Sequence, residues 1–118
     1  MERTWVGNSA DPFCVLGIMF YIYILHSQKA DKFYVGHTDD PMRRLSEHNT
    51  KPFNTFTSRY RPWTMAAYFP AGEIRGEAIR MERYIKKLKS KKLILELIQE
   101  QKNPERIAQL VRVPTCQN

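Results

Sequence analysis

Residues 20–49 read FYIYILHSQKADKFYVGHTDDPMRRLSEHN. Two tyrosine-centred apolar runs, YIYIL and FYVG, are followed at once by a basic segment holding an arginine and a histidine. Cores built for packing alone draw on Val, Ile and Leu, so Tyr21, Tyr23 and Tyr34 in one short unit need a reason. Phe20 to His26 has the aromatic and β-branched content of a strand. Alternation sends Tyr21, Tyr23 and Leu25 to one face and Phe20, Ile22 and Ile24 to the other. Both faces are mostly apolar, which predicts a central strand covered on both sides. The polar stretch SQKADK is short enough for a hairpin loop, and Phe33 to His37 returns antiparallel to the first strand. Asp39-Asp40-Pro41 then opens a helix, with a carboxylate at the N-cap and proline in the first turn. MRRLSEHN supplies about two turns, with Leu45 as the expected buried residue.

Working outward, residues 50–62 read as loop and Trp63 to Phe69 as a third strand, ended by Pro70-Ala71-Gly72. Glu73 to Leu88 is an amphipathic helix whose stripe of Ile74, Ala78, Met81, Ile85 and Leu88 is expected in the core. Lys91 to Gln101 continues as a further helical segment with Leu93, Ile94, Leu97 and Ile98 buried, and the break falls near Ser90. Glu105 to Val111 fits one more short helix. The order β-β-α-β-α-α predicts an α+β fold, a small three-stranded antiparallel sheet flanked by helices. Residues 1–18 show no sustained period and read as an N-terminal extension, with Met19 as an alternative natural start. Residues 19–101 form the domain and 102–118 a C-terminal tail.

The 118 residues allow one domain with one modest core. At 42% hydrophobic the chain is globular. No apolar run reaches the length of a membrane span, and residues 13–25 lack the flanks of a signal peptide. An intracellular, cytoplasmic protein is expected. Cys14 and Cys116 lie near opposite ends, neither at metal-ligand spacing from another cysteine or histidine. They read as free thiols, with a disulfide joining the ends as the alternative. The net charge of +7 favours polyanions as partners, nucleic acid first. A merely solvated basic surface has the same composition.

The ordered residues now point further. Tyr21-Ile22-Tyr23 and then Tyr34-Val35-Gly36 resemble the paired motifs of the GIY-YIG nuclease superfamily. Arg44 falls ten residues after Tyr34 and His48 four after that, as in the family's first helix. Glu82, in EAIRMERYIKKL, matches the glutamate that holds the metal ion in family members. The resemblance covers Phe20 to Leu97. It is nearest to small stand-alone members related to the N-terminal catalytic domain of the UvrC excinuclease. Tyr21 stands where the family's first motif has glycine.

The resemblance implies a metal-dependent endonuclease on DNA, structure-selective and linked to repair or recombination. Its catalytic set would be Tyr23, Tyr34, Arg44, His48 and Glu82, with Glu82 as ligand to one Mg²⁺ or Mn²⁺. Phosphodiester hydrolysis needs an oriented water, a base, and positive charge on the phosphoryl and leaving oxygens. Arg44 offers a planar fork suited to two phosphate oxygens. Mg²⁺ keeps several waters, so a single carboxylate suffices if the DNA phosphate completes the site. The precedent does not settle which tyrosine acts as base. Tyr23 is favoured, with Tyr34 as its hydrogen-bonding partner, and His48 is placed to accept a proton or orient a hydroxyl. Tyr21 reads as packing. Gly36 serves backbone geometry or a close approach. Each of these residues taken alone would have an ordinary structural explanation.

Two basic segments suit the phosphate backbone. One is Arg83 to Lys92, which includes Lys86, Lys87 and Lys89. The other sets Lys51, Arg59 and Arg61 among Phe53, Phe56, Tyr60 and Trp63, where aromatics could stack on bases. With no separate recognition domain legible, selectivity is expected for structure or from a protein partner. The competing reading is a nucleic-acid-binding module with weak or no catalysis.

Overall fold

The computed structural model describes residues 18–51 and 58–111. Phe53, Phe56, both cysteines and all of the proposed extension but Ile18 lie outside the described residues. Strands β1 (Phe20–Ser27) and β2 (Lys32–Thr38) form the hairpin, followed by helix α1 (Pro41–Thr50) and strand β3 (Trp63–Gly72). Helices α2 (Arg75–Leu88), α3 (Lys91–Gln99) and α4 (Pro104–Val111) complete the order. The strands form an antiparallel sheet in the order β2-β1-β3. The fold is therefore α+β, with β1 central as its two apolar faces require.

Those two faces build different environments. Phe20, Ile22 and Ile24 join Val35, Ala67 and Phe69 in the larger core. It is closed by Ala78, Met81 and Ile85 of α2, by Leu93, Ile94 and Leu97 of α3, and by Ile107 and Val111 of α4. On the opposite face Tyr23, Leu25 and Trp63 form a second cluster with Tyr34, Leu45, Tyr60 and Met65 packed against it. The aromatic face of β1 therefore lies under α1, where phenols can meet polar groups. Asn49 fastens α1 to the sheet: its Nδ2 donates to the Trp63 carbonyl at 3.0 Å and its Oδ1 accepts from Trp63 N–H at 2.7 Å.

The structure corrects several expectations. Strand β3 runs past Phe69 to Gly72, with Pro70 opposite Tyr21. Because β3 is an edge strand, a proline without an N–H can be accommodated there. His48, not Leu45, is the fully buried residue of α1. Ile74 is 61% exposed and Leu88 47% exposed. Ile74 is the extended N-cap residue, outside the helical stripe, and Leu88 ends the helix, leaving Ala78, Met81 and Ile85 to face the sheet.

Lys89 caps α2 in the left-handed region, at φ 48° and ψ 40°, and its N–H donates to the Lys86 carbonyl at 3.2 Å. Ser90 then caps α3 by accepting from Leu93 N–H at 3.0 Å. Glycine occupies such a C-cap without the Cβ penalty. Lys89→Gly should therefore raise stability by about 0.5–1 kcal/mol in urea unfolding. A fall instead would mean that the lysine side chain stabilises the fold.

Candidate functional site

The site assembles along the outer edge of β2, an edge strand among the described residues. Tyr23 on β1 lies opposite Gly36 on β2 and is 1% exposed. Its hydroxyl is hydrogen-bonded to His48 Nε2 at 2.8 Å. Arg44, one turn before His48, hydrogen-bonds the same phenol and donates from Nη1 to Glu47 Oε1 at 2.8 Å. The Asp40 cap accepting from Arg43 N–H at 3.1 Å fixes where this helix begins. Tyr34 is half-buried, with its ring 4.8 Å from the His48 ring and 6.3 Å from those of Tyr23 and Trp63.

From the other side α2 brings Glu82. Its Oε1 lies 2.6 Å from His37 Nδ1 and its Oε2 2.7 Å from Lys86 Nζ. Lys86 also sits 5.3 Å from the centre of the Tyr34 ring, so it links the carboxylate to the aromatic face. Arg75 Nη1 is 3.3 Å from His37 Nε2. A guanidinium only donates, so the imidazole accepts at Nε2 and turns Nδ1–H to Glu82. His37 thus orients the carboxylate.

Gly36 has a definite spatial task. A Cβ there would lie 2.5 Å from Tyr23 Oη, 2.7 Å from Cζ and 2.9 Å from Cε1. Of the two roles open to it, close approach is the one the geometry supports, since its φ is not in the left-handed region.

Electrostatics follow from burial. Desolvation pushes the Tyr23 phenol well above the usual tyrosine range; Tyr34 and Glu82 add to this and Arg44 opposes it. His48 is held down to about 4, first by burial and then by the Arg44 charge, with Arg61 adding to the effect and Glu47 opposing it. Both groups are neutral at pH 7. Since the unfolded histidine takes up its proton near 6.5, the unfolded state binds more protons between that pH and about 4. Stability should thus fall as pH drops through this window, by up to about 3 kcal/mol. Chemical denaturation at pH 7, 5.5 and 4.5 checks this, with His48→Asn expected to flatten the slope. An equal slope in the variant would assign the loss to other groups.

The remaining predicted residues spread over the surface. Arg59, Lys86, Lys87, Lys89 and the Lys51 side chain are exposed. Arg59 lies 6.0 Å from the centre of the Tyr60 ring. Arg61 is engaged differently: Nε donates to the His48 carbonyl at 2.7 Å and Nη2 to the Lys51 carbonyl. Its guanidinium fastens the end of α1, with Nε and Nη2 turned to backbone carbonyls. Sequence reasoning missed His37, Arg75 and Glu47. The one signal for His37 was its alternation with Val35, which sends both toward α2.

Among the described residues no group of three or more His, Cys, Asp or Glu side chains could hold a metal ion, and no helix is long and apolar enough to cross a membrane. A lightly held ion does fit. Glu82 is a hard oxygen donor, and Oε2 already faces a cation, the Lys86 ammonium.

Comparison with known proteins agrees with this arrangement. Residues 19–94 match the GIY-YIG catalytic domain. The chain is similar to the structure-specific endonuclease subunit SLX1 of Meyerozyma guilliermondii, 44% identical over 54 residues. That match covers 41% of this chain but only 18% of the subunit. It is also 33% identical over 85 residues to a UPF0213 protein of Listeria monocytogenes, covering 72% of this chain and 92% of the relative. Motif order, sheet topology and the matched span agree: the chain belongs to the GIY-YIG family.

Proposed function

We propose that this protein is a divalent-metal-dependent endonuclease that hydrolyses DNA phosphodiester bonds, selects structure over sequence, and serves repair or recombination in the cytoplasm. One observation carries the reading. Tyr23, Tyr34, Arg44 and His48 from one face of the sheet and Glu82 and Lys86 from the other converge on a single edge. The similarity to a structure-specific endonuclease subunit supports the substrate class. That relative is one subunit of an endonuclease, which supports a partner chain that adds specificity.

The residues divide the work. Arg44 pairs with the phosphoryl oxygens, its fork positioned by Glu47 and Tyr23. Tyr23 is buried and keeps its proton, which moves the contact with the attacking water to half-buried Tyr34. This reverses the preference drawn from sequence. Tyr23 and His48 then hold Tyr34 and Arg44 in place. Glu82, oriented by His37, would hold the ion. A bound Mg²⁺ or Mn²⁺ would supply positive charge to the phosphoryl and leaving oxygens. Lys86 would leave Oε2 and add its charge beside the phosphate. The water oxygen bonds to phosphorus as the bond to the leaving oxygen breaks; the water gives up a proton to solvent at the open edge beside Tyr34, and the leaving oxygen takes one up from solvent.

A second reading, a nucleic-acid-binding module without catalysis, draws on the engagement of both Glu82 oxygens by His37 and Lys86. Cleavage of nicked, branched, single-stranded and plain duplex DNA with Mg²⁺ or Mn²⁺ separates the two. The expected result is cleavage of branched DNA about tenfold or more faster than plain duplex, stopped by EDTA. Salt-sensitive binding without cleavage would sink the nuclease reading and leave the binding module.

A further inference from the structure

Along the outer edge of β2, helices α2 and α3 leave a groove of about 360 Å³. Its floor is apolar, formed by Phe33, Val35, Ile85 and Ile94. Its rim carries Lys86, Lys89 and Lys91. Tyr34 belongs to its lining and also touches His48, while Lys86 touches both Tyr34 and Glu82. The groove is therefore continuous with the site.

Its chemistry is selective. The phosphates of a duplex would use the lysines and leave the floor in water. A base inside the duplex is stacked and cannot reach that floor. An unpaired nucleotide matches both parts, presenting a flat apolar face to the floor and phosphates to the rim. The volume lies within the range of small-ligand pockets.

Backbone geometry adds a second observation. Lys89 is held at φ 48°, where glycine would cap α2 with less strain. Keeping a lysine there retains an ammonium on the rim, the kind of local strain that marks functional positions. Lys91 reaches Asp31 at 3.3 Å and Lys86 reaches Glu82. The Lys86 and Lys91 side chains are partly exposed, and such pairs yield readily to a phosphate.

We infer that this groove holds an unpaired nucleotide next to the scissile phosphate, so that a splayed or single-stranded segment is what the protein selects. The inference rests on the nuclease reading and specifies how its structure selectivity arises.

Isoleucine-methyl NMR of the full chain in EDTA tests it, with an oligothymidylate, a forked duplex and a blunt duplex as probes. The Ile85 and Ile94 methyls should shift with the oligothymidylate and the fork and stay in place with the blunt duplex. The double variant Lys89→Gly, Lys91→Ala should weaken fork binding about fivefold more than blunt-duplex binding. Equal shifts with blunt duplex overturn the proposal. Shifts with an acidic peptide but not with the oligothymidylate assign the groove to a protein partner and also overturn it. If the two methyls stay still while forks are bound and cut in an EDTA-sensitive way, the groove assignment falls and the nuclease reading stands. If no DNA is bound or cut, both fall.

Discussion

Glu82→Gln should lower the cleavage rate by about three orders of magnitude while the fold survives and DNA binding is kept or tightened. The substitution removes one negative charge and leaves the side-chain shape. Glu82 lies outside both core clusters, so packing changes little. Its ion pair with Lys86 is partly exposed at the lysine end, which limits the loss to about 1 kcal/mol. The amide oxygen can still accept from His37 Nδ1, so the orientation of α2 against β2 is retained. What disappears on the proposed reading is the hard anionic donor, and with it the charge that a divalent ion would bring to the phosphate, several kcal/mol of transition-state stabilisation. DNA binding moves the other way, because an anion beside the phosphate is gone and Lys86 is released to meet it. Single-turnover cleavage, thermal melting and binding in EDTA give the three readouts. A variant that cuts within tenfold of wild type would show that Glu82 is only the partner of Lys86 and His37.

Much of this centre was legible because it is carried by order and spacing. Alternation along β1 sorts Tyr23 from Ile22 and Ile24, and a helical turn separates Arg44 from His48. What escaped is what depends on partners distant in sequence. His37 follows the glycine of the second motif and resembles an ordinary strand residue, yet its partner Glu82 lies 45 positions on. Arg61 looks like a phosphate contact because it sits in a basic, aromatic stretch. A guanidinium can equally serve backbone carbonyls, and no sequence pattern distinguishes the two. The reach of β3 was missed because Pro-Ala-Gly reads as a stop, although an edge strand tolerates it. The sequence preference for Tyr23 as base was drawn without its burial. Periodicity reports which face a residue takes, not how deeply the opposing helix covers it.

Gly36→Ala should reduce cleavage by about 100-fold and stability by about 1–3 kcal/mol. The added methyl carbon would lie 2.5 Å from the Tyr23 hydroxyl oxygen and under 3 Å from two ring carbons. Something must move, and the ring has little freedom. It is buried, packed with Leu25 and Trp63, and hydrogen-bonded to His48. Moving the phenol would break its contacts with His48 and Arg44, and a shift of about 1 Å in a positioned group is enough to slow chemistry a hundredfold. Simple loss of β propensity predicts something different, since alanine is no worse a strand residue than glycine. The Tyr23→Phe background separates the two causes. It removes the oxygen that the new methyl meets first, so adding Gly36→Ala to it should cost about 1 kcal/mol less stability than in wild type. Urea unfolding of the four proteins gives that coupling, and cleavage assays on the same set give the rate. Wild-type stability and rate in Gly36→Ala would mean that the Tyr23 phenol can step aside freely, and that its place beside His48 is not what the site depends on.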